Sequence, residues 1–242
     1  MVQTLKVLSA LLTYPEVALK DAAPELRTVI VDEGLLPAHV AEKVLELIEQ
    51  IETRDLFDLQ ERYVLLFDRT RTLSLHLFEH IHGEGRDRGQ AMVDLMALYQ
   101  KHGLEISAKE LPDYLPMFLE FLSTLSLDEA REKLSQPLHI ISALGERLRK
   151  RESIYGGVFR GLVEISTGQP NEENLKALLE MPDDDPNDLE ALDEIWEAEA
   201  VAFGPEPDQA DGCPMVSDML KQMQTDPASP DNPAGDASPG SN

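Results

Sequence analysis

Apolar residues recur with the period of an α-helix through most of the first 167 residues, and this pattern limits the fold more than any other feature. Positions i, i+3, i+4 and i+7 fall on one helical face. That spacing begins with Leu5, Leu8, Leu11 and Leu12 and recurs in residues 40–51, 59–67, 92–99, 111–122, 134–148 and 155–162. The apolar–polar alternation of half-buried strands is nearly absent, and residues 27–31 are the one β-like stretch. The sequence therefore predicts an all-α fold, a compact single-domain helical globule of roughly seven to nine helices.

Composition divides the chain into three predicted regions. Residues 1–170 form the helical domain, which closes at the Thr-Gly-Gln-Pro sequence of residues 167–170. Residues 171–203 are predicted to be an acidic helical extension that docks on the domain, with an apolar face that includes Leu192 and Trp196. Residues 204–242 are rich in Pro, Asp, Gly and Ser, which predicts a disordered acidic tail.

The net charge of −25 restricts the partners. Residues 171–242 hold 19 acidic residues and two lysines, whereas residues 1–170 hold 27 acidic and 19 basic residues. Nucleic acid and anionic membranes both attract basic surfaces, so neither is an expected partner. No apolar run approaches the ~20 residues that span a bilayer, and the chain has a single cysteine, Cys213. These features predict a cytoplasmic location without membrane insertion.

Histidines are the first candidates for chemistry. His76 and His80 are four residues apart, and His82 follows closely. On a helix, the four-residue spacing would place two imidazoles on one face, where they could hold a metal. The order His-Leu-Phe-Glu-His is not the His-Glu-x-x-His of a zinc protease. We therefore favour a structural or loop-ordering role and predict no metal site, with a histidine-based metalloprotein as the alternative.

A glycine-rich loop at residues 83–89 precedes a predicted helix. Helix N-termini can hold anions, but the acidic residues Glu84 and Asp87 weaken the case for a phosphate site. The sequence also lacks a Gly-x-Ser-x-Gly nucleophile motif and a Gly-x-x-x-x-Gly-Lys-Ser/Thr phosphate loop. These observations favour a protein that is not an enzyme.

The segment around Phe118 is apolar on more than one helical face. Met117, Phe121 and Leu122 accompany Phe118 there. A helix of this kind either is deeply buried or lines a groove. For each single residue a place in the core is favoured, but together with aromatic residues elsewhere the segment is consistent with a groove for an apolar peptide helix.

Three segments together resemble a known family. Residues 77–92, LFEHIHGEGRDRGQAM, resemble the signature of the NarJ-type respiratory nitrate reductase assembly chaperones. Residues 110–116, ELPDYLP, and residues 63–68, YVLLFD, are similar to elements of the wider TorD/DmsD/NarJ superfamily of redox-enzyme maturation chaperones. The resemblance covers residues 1 to about 203.

This resemblance implies a TorD-like all-α fold without catalytic activity. Such proteins bind the N-terminal segment of the nitrate reductase catalytic (alpha) subunit, which is a remnant of a twin-arginine export leader. They hold that client while iron–sulfur clusters and the molybdenum cofactor, in its bis-guanine dinucleotide form, are inserted. The resemblance implies that the cofactor is delivered to the client and not bound stably by the chaperone. It also implies contact with proteins of molybdenum cofactor biosynthesis.

The resemblance and the apolar pattern together select candidate residues. The predicted client-binding residues are Tyr63, Leu66, Phe67, Phe78, Asp113, Tyr114 and Phe118. The predicted signature loop comprises His80, His82, Gly83, Glu84, Arg86, Asp87 and Arg88. Two alternatives stay open: a chaperone for another molybdoenzyme, and a carrier that itself binds the cofactor through Arg86 and Arg88.

Position 114 departs from the superfamily pattern, which usually has histidine after the aspartate of the second motif. Tyr114 does not titrate near neutral pH, which argues against a grip switched by protonation at this position. The preceding Asp113 is expected either to cap its helix or to contact a basic residue of the client.

Overall fold

A computed structural model describes residues 1–80, 86–104 and 110–183, with side chains at all of these except residues 86–88. In these ranges the chain forms eleven α-helices and no strand. They are α1 (Gln3–Leu11), α2 (Val17–Asp21), α3 (Ala23–Glu33), α4 (Ala38–Thr53), α5 (Leu56–Tyr63), α6 (Arg86–Lys101), α7 (Leu115–Thr124), α8 (Leu127–Ser135), α9 (Leu138–Lys150), α10 (Gly156–Ile165) and α11 (Glu172–Glu180). A π-helical turn at Val64–Asp68 follows α5, and 3₁₀ turns occur at Arg71–Leu73 and Leu77–His80. The all-α prediction is confirmed.

Helix α1 contributes one apolar face to the core of the described fold. All four leucines of its predicted apolar face are fully buried. The helix packs chiefly against α7 and also against α3. Within that contact, the Ser9 hydroxyl donates a 2.6 Å hydrogen bond to the carbonyl oxygen of Pro116. The N-terminal segment is therefore a core element, as its helical pattern predicts.

Helices α4, α9 and α10 form a second packed group. At the α4–α10 crossing, Gly157 approaches α4 so closely that a Cβ atom there would lie 2.9 Å from Cβ of Lys43. Glycine therefore permits the close contact of these two helices. Helix α11 packs on α9 and buries Leu178. It lies within residues 171–203, where the sequence predicts an acidic helical extension.

The last described residue, Asp183, is bound to the helical body. Its carboxylate accepts hydrogen bonds from Arg151 at 2.8 Å and from the Thr72 hydroxyl at 3.0 Å. Burial by itself raises the pKa of Asp183, but the hydrogen bonds from these two residues lower it overall. The predicted remainder of the acidic extension, at residues 184–203, and the predicted tail at residues 204–242 lie outside the described residues.

Individual segments depart from their local sequence pattern. The β-like residues 27–31 belong to α3, because Pro24 and Gly34 supply helix-start and helix-stop signals on either side. Leu111 does not continue the stripe of α7, which begins at Leu115 with Pro116 in its first turn. Leu111 is consequently exposed. On α6 the predicted face is only partly covered, since Tyr99 is buried but Met96 is 41% exposed.

The number of helices also exceeds the prediction, because some predicted helices are divided by very short connections into two. Helices α2 and α3 are separated by Ala22 alone, and Pro137 divides α8 from α9. Among the described helices, none combines the length and the apolar character required to cross a membrane.

Candidate functional site

Two of the sequence motifs are joined by backbone pairing. His76 and Tyr114 form an isolated antiparallel bridge. The backbone N–H of Leu77 donates to the carbonyl oxygen of Asp113 at 3.1 Å, and that of Leu115 donates to Leu75 at 2.8 Å. The start of the 77–92 motif and the 110–116 motif, distant in sequence, therefore form one local structure.

The buried carboxyl group of Asp113 stabilises this local structure through hydrogen bonds. The residue is fully buried, and its Oδ2 accepts a 3.0 Å hydrogen bond from the backbone N–H of Phe78. Its Oδ1 lies 3.3 Å from Nδ1 of His76. The predicted cap of its own helix is not formed, because α7 has Tyr114 as its N-cap residue and no side-chain cap hydrogen bond. Asp113 instead orders the Leu77–His80 turn, because its oxygens face that turn.

Tyr114 links the motifs to α1. Its hydroxyl lies 3.1 Å from the hydroxyl of Tyr63, which in turn donates to the carbonyl oxygen of Leu12 at 3.0 Å. The single hydroxyl proton of Tyr63 is donated to the Leu12 carbonyl oxygen. Tyr114 is therefore the donor in the hydrogen bond between the two hydroxyl groups. Burial raises the pKa of both phenols. Tyr114 therefore remains protonated at neutral pH and acts as a fixed hydrogen-bond donor.

The two histidines do not share a helical face. His76 lies in the backbone bridge, whereas His80 lies in the 3₁₀ turn, where Nε2 is 2.8 Å from the carbonyl oxygen of Ser74. A carbonyl can only accept, so Nε2 carries the proton of the neutral ring. Within the described ranges no group of three or more His, Cys, Asp or Glu side chains could hold a metal ion. The described contacts of both imidazoles order loops.

Acidification is expected to weaken the fold through His80. Burial lowers the pKa of its imidazole below the ordinary 6.5, so the unfolded chain binds the proton more strongly than the folded chain. The stabilisation is complete above about pH 6.5 and is lost as the pH falls towards the depressed folded pKa. Urea unfolding at about pH 7.5 and pH 5.5 should show a smaller pH-dependent loss in His80→Gln than in wild type. An equal loss in both proteins would contradict this role of His80.

His139 supplies the comparison for that measurement. Burial also lowers its pKa, so it contributes in the same direction. We therefore expect His80→Gln to remove only part of the pH dependence. The double substitution with His139→Gln should remove more of it than either single change.

A groove of about 460 Å³ opens beside the joined motifs. It lies between α1, the C-terminal part of α6, and α7. Its lining residues are Ser9, Thr13, Tyr99, Leu104, Glu110, Tyr114, Pro116, Met117, Glu120 and Phe121. The apolar part of this surface includes Leu104, Met117 and Phe121. Glu110 and Glu120 are exposed acidic residues, and Glu120 lies 3.8 Å from the ammonium of Lys6. The groove therefore combines an apolar floor with acidic edges.

The predicted client-binding residues are distributed unevenly about this groove. Tyr63, Phe67, Asp113 and Phe118 are buried, while Leu66, Phe78 and Tyr114 are partly exposed. Of these seven residues, Tyr114 lines the groove. Phe67 instead packs between the rings of Tyr63 and Tyr155, with centroid distances of 5.0 and 5.1 Å. The four buried residues therefore lie in the interior and not on the groove surface, and their role in binding stays a prediction.

The described residues include only part of the signature loop. His82, Gly83 and Glu84 lie outside the described residues. The residues Arg86, Asp87 and Arg88 form the first turn of α6, and their side chains are not among those described.

Sequence reasoning missed the acidic edges of the groove. Glu110 and Glu120 are ordinary exposed acidic residues in a strongly acidic chain, so nothing in their local sequence distinguishes them. Met117, by contrast, could be recognised from the sequence, because it extends the apolar surface of α7 beyond one face. An apolar residue in that position indicates that α7 makes a second apolar contact.

A larger cavity, of about 670 Å³, lies between α4, α9 and α10, but motif residues do not line it. Charged side chains at its edge are paired with one another. Lys43 binds Glu46 at 3.0 Å, and Arg149 binds Glu146 at 2.9 Å. The smaller groove is the better candidate for a functional site, because the motif residues Glu110, Tyr114 and Pro116 line it.

Comparison with known proteins supports one family. The family model described as nitrate reductase delta subunit matches residues 33–160. The nitrate reductase molybdenum cofactor assembly chaperone NarJ of Escherichia coli K12 is 42% identical over 201 residues, which cover 82% of this chain and 84% of that protein. A probable chaperone of the same description, NarW of the same organism, is 37% identical over 83% of this chain and 84% of its own length.

The fold has a counterpart among solved structures. A redox enzyme maturation protein from Archaeoglobus fulgidus matches 68% of this chain and 92% of its own chain, with a TM-score of 0.50. At 21% identity this similarity concerns the fold alone. The family match covers more than half of the sequence, and the similarity to NarJ extends over most of both chains. The chain therefore belongs to the nitrate reductase delta subunit family.

Proposed function

We propose that this protein is an assembly chaperone that binds the N-terminal segment of a nitrate reductase catalytic subunit in the α1–α6–α7 groove. The observation that carries the proposal is the combination of an apolar floor and acidic edges beside the joined sequence motifs. The names of the relatives support the client: they are nitrate reductase molybdenum cofactor assembly chaperones. Those names also agree with the prediction that the chain is not an enzyme.

The chemistry of the groove suits an amphipathic helix with basic residues. Apolar side chains spaced at i, i+3 and i+4 on such a helix would cover the partly exposed Leu104 and Met117. Basic side chains of the same helix would meet Glu110 and Glu120. Complementary charge accelerates encounter and favours one orientation, while apolar burial supplies most of the affinity.

Binding of this kind must be reversible, because the client later leaves to form the finished enzyme. Micromolar to nanomolar affinity, about 8 to 12 kcal/mol, suits a segment that is held and then released. The sequence has no nucleotide-binding motif, so we propose that folding of the client drives release. In the same proposal, iron–sulfur clusters and molybdenum cofactor enter the client while it is held, and proteins of cofactor biosynthesis supply the cofactor.

Calorimetry with a synthetic peptide tests the proposal. A peptide of about 15 residues, copied from the N-terminus of the catalytic subunit, should bind one-to-one with a negative heat-capacity change. Met117→Glu should weaken binding at least about tenfold, because a carboxylate would replace apolar contact in the groove. Glu110→Lys with Glu120→Lys should also weaken it, and more strongly at low salt.

Matched surface substitutions control for effects outside the groove. Val31→Glu places a carboxylate at an exposed apolar residue of α3, and Glu173→Lys reverses an exposed charge on α11. Both should bind the peptide as wild type does. Absence of binding to the wild-type protein at high peptide concentration would refute the proposal. If a corresponding peptide from another molybdoenzyme bound more tightly, that enzyme would be assigned as the client.

A further inference from the structure

Three large apolar side chains are exposed on one side of the α1–α2 connection and α5. Phe57 is 79% exposed, Val17 is 59% exposed and Tyr14 is 44% exposed. We call these residues the apolar strip. Isolated apolar residues are common on protein surfaces, but neighbouring ones indicate an interaction site. The strip is separate from the residues that line the groove.

Two hydrogen bonds connect the segments that carry these residues. The amide nitrogen Nε2 of Gln60 donates to the carbonyl oxygen of Pro15 at 2.9 Å. The Lys20 ammonium donates to the carbonyl oxygen of Arg54. Residues 15–20 therefore run antiparallel to residues 54–60. Val17 and Phe57 therefore lie on two segments that these hydrogen bonds hold together.

Tyr14 lies beside residues that line or support the proposed binding groove. The ring of Tyr14 meets the ring of Tyr63 edge-on, with a centroid distance of 5.7 Å. The Tyr63 hydroxyl is hydrogen-bonded to Tyr114, which lines the groove. Thr13, the neighbour of Tyr14 in sequence, lines the groove as well. A peptide that leaves the groove past Thr13 would therefore meet Tyr14 next.

Charge around the strip selects the kind of occupant. Glu16, Asp55, Asp58 and Glu61 are exposed on the same two segments and outnumber the basic residues there, the exposed Arg54 and Lys20, whose ammonium binds a carbonyl group. Acidic surroundings favour an apolar segment with basic flanks. They disfavour a second copy of this chain, since two copies would bring like charges together and each has a net charge of −25.

We infer that the apolar strip binds the continuation of the client segment, beyond the part that the groove holds. This inference rests on the proposed function, because it requires that the groove bind the client's N-terminal segment. The bound continuation carries apolar residues that cover Val17 and Phe57, with basic residues beside them. The strip therefore lengthens the binding surface and adds selectivity for the client.

Two peptides of different length test the inference. The short one, of about 15 residues, covers the groove, and the long one extends the same client sequence to about 30 residues. Calorimetry should show the long peptide binding wild type at least about tenfold more tightly than the short one. The double variant Val17→Ser/Phe57→Ser should bind both peptides with the affinity that wild type shows for the short one. Val31→Ser, a change at an equally exposed valine on α3, should behave as wild type.

The outcomes separate this inference from the proposed function. If neither peptide binds wild type, the proposed function fails. If the short peptide binds but the long one gains nothing, or the double variant keeps that gain, the strip is not part of the site. Unchanged binding of the short peptide by the double variant shows that the variant is folded. If sedimentation shows that the wild-type protein is a dimer and the double variant a monomer, the strip binds a second copy of this chain, which would overturn the inference.

Discussion

Replacing Asp113 with alanine is expected to lower the free energy of unfolding by about 3 kcal/mol. The change removes a fully buried acceptor of the Phe78 backbone N–H and the partner of the His76 ring. Hydrogen bonds to charged acceptors contribute about 1.5–3 kcal/mol each, and a vacated buried site adds to the loss. Urea unfolding followed by circular dichroism measures the effect.

Two further variants separate fold from binding at this position. Asp113→Asn keeps the shape and one acceptor oxygen, so it should cost clearly less than alanine. Glu110→Ala, three residues earlier on the groove edge, should leave the unfolding midpoint unchanged but weaken peptide binding. An Asp113→Ala protein as stable as wild type would show that the carboxyl group does not hold the Leu77–His80 turn.

The second large effect is expected at Arg147. Its guanidinium is buried and donates to the carbonyl oxygen of Thr72 at 2.7 Å and to that of Leu178 at 2.5 Å. It thus joins α9 to the Arg71–Leu73 turn and to α11. Arg147→Met keeps the aliphatic stem but removes both donors, so we expect a loss of about 3 kcal/mol.

The loss should be local as well as global. Hydrogen exchange in α11 should accelerate in Arg147→Met, because Leu178 loses its tie to α9. Arg149→Met provides a matched control two residues away, where the exposed guanidinium pairs only locally with Glu146. Such pairs add little, so this variant should keep the wild-type midpoint and exchange rates. Equal behaviour of the two variants would contradict a connecting role for Arg147.

The sequence identifies the motif segments of the candidate site, but it does not predict how these segments are arranged in space. Residues 63–68, 77–92 and 110–116 were identified from sequence, and their pairing through His76 and Tyr114 is a tertiary fact. A sequence motif does not record which way each side chain points. Phe67 and Phe118 resembled groove residues for this reason, although both are buried in the core.

The sequence by itself determined that this protein is helical, since a periodic apolar stripe has few ways to be buried other than in helices packed together. It also determined the family, because the motif runs are long and unusual. Only the tertiary structure decided that Asp113 fastens a neighbouring turn and that acidic edges flank an apolar floor near Met117. The same holds for the segments of Val17 and Phe57, which two hydrogen bonds connect. These features depend on contacts between residues far apart in sequence, which local periodicity cannot encode.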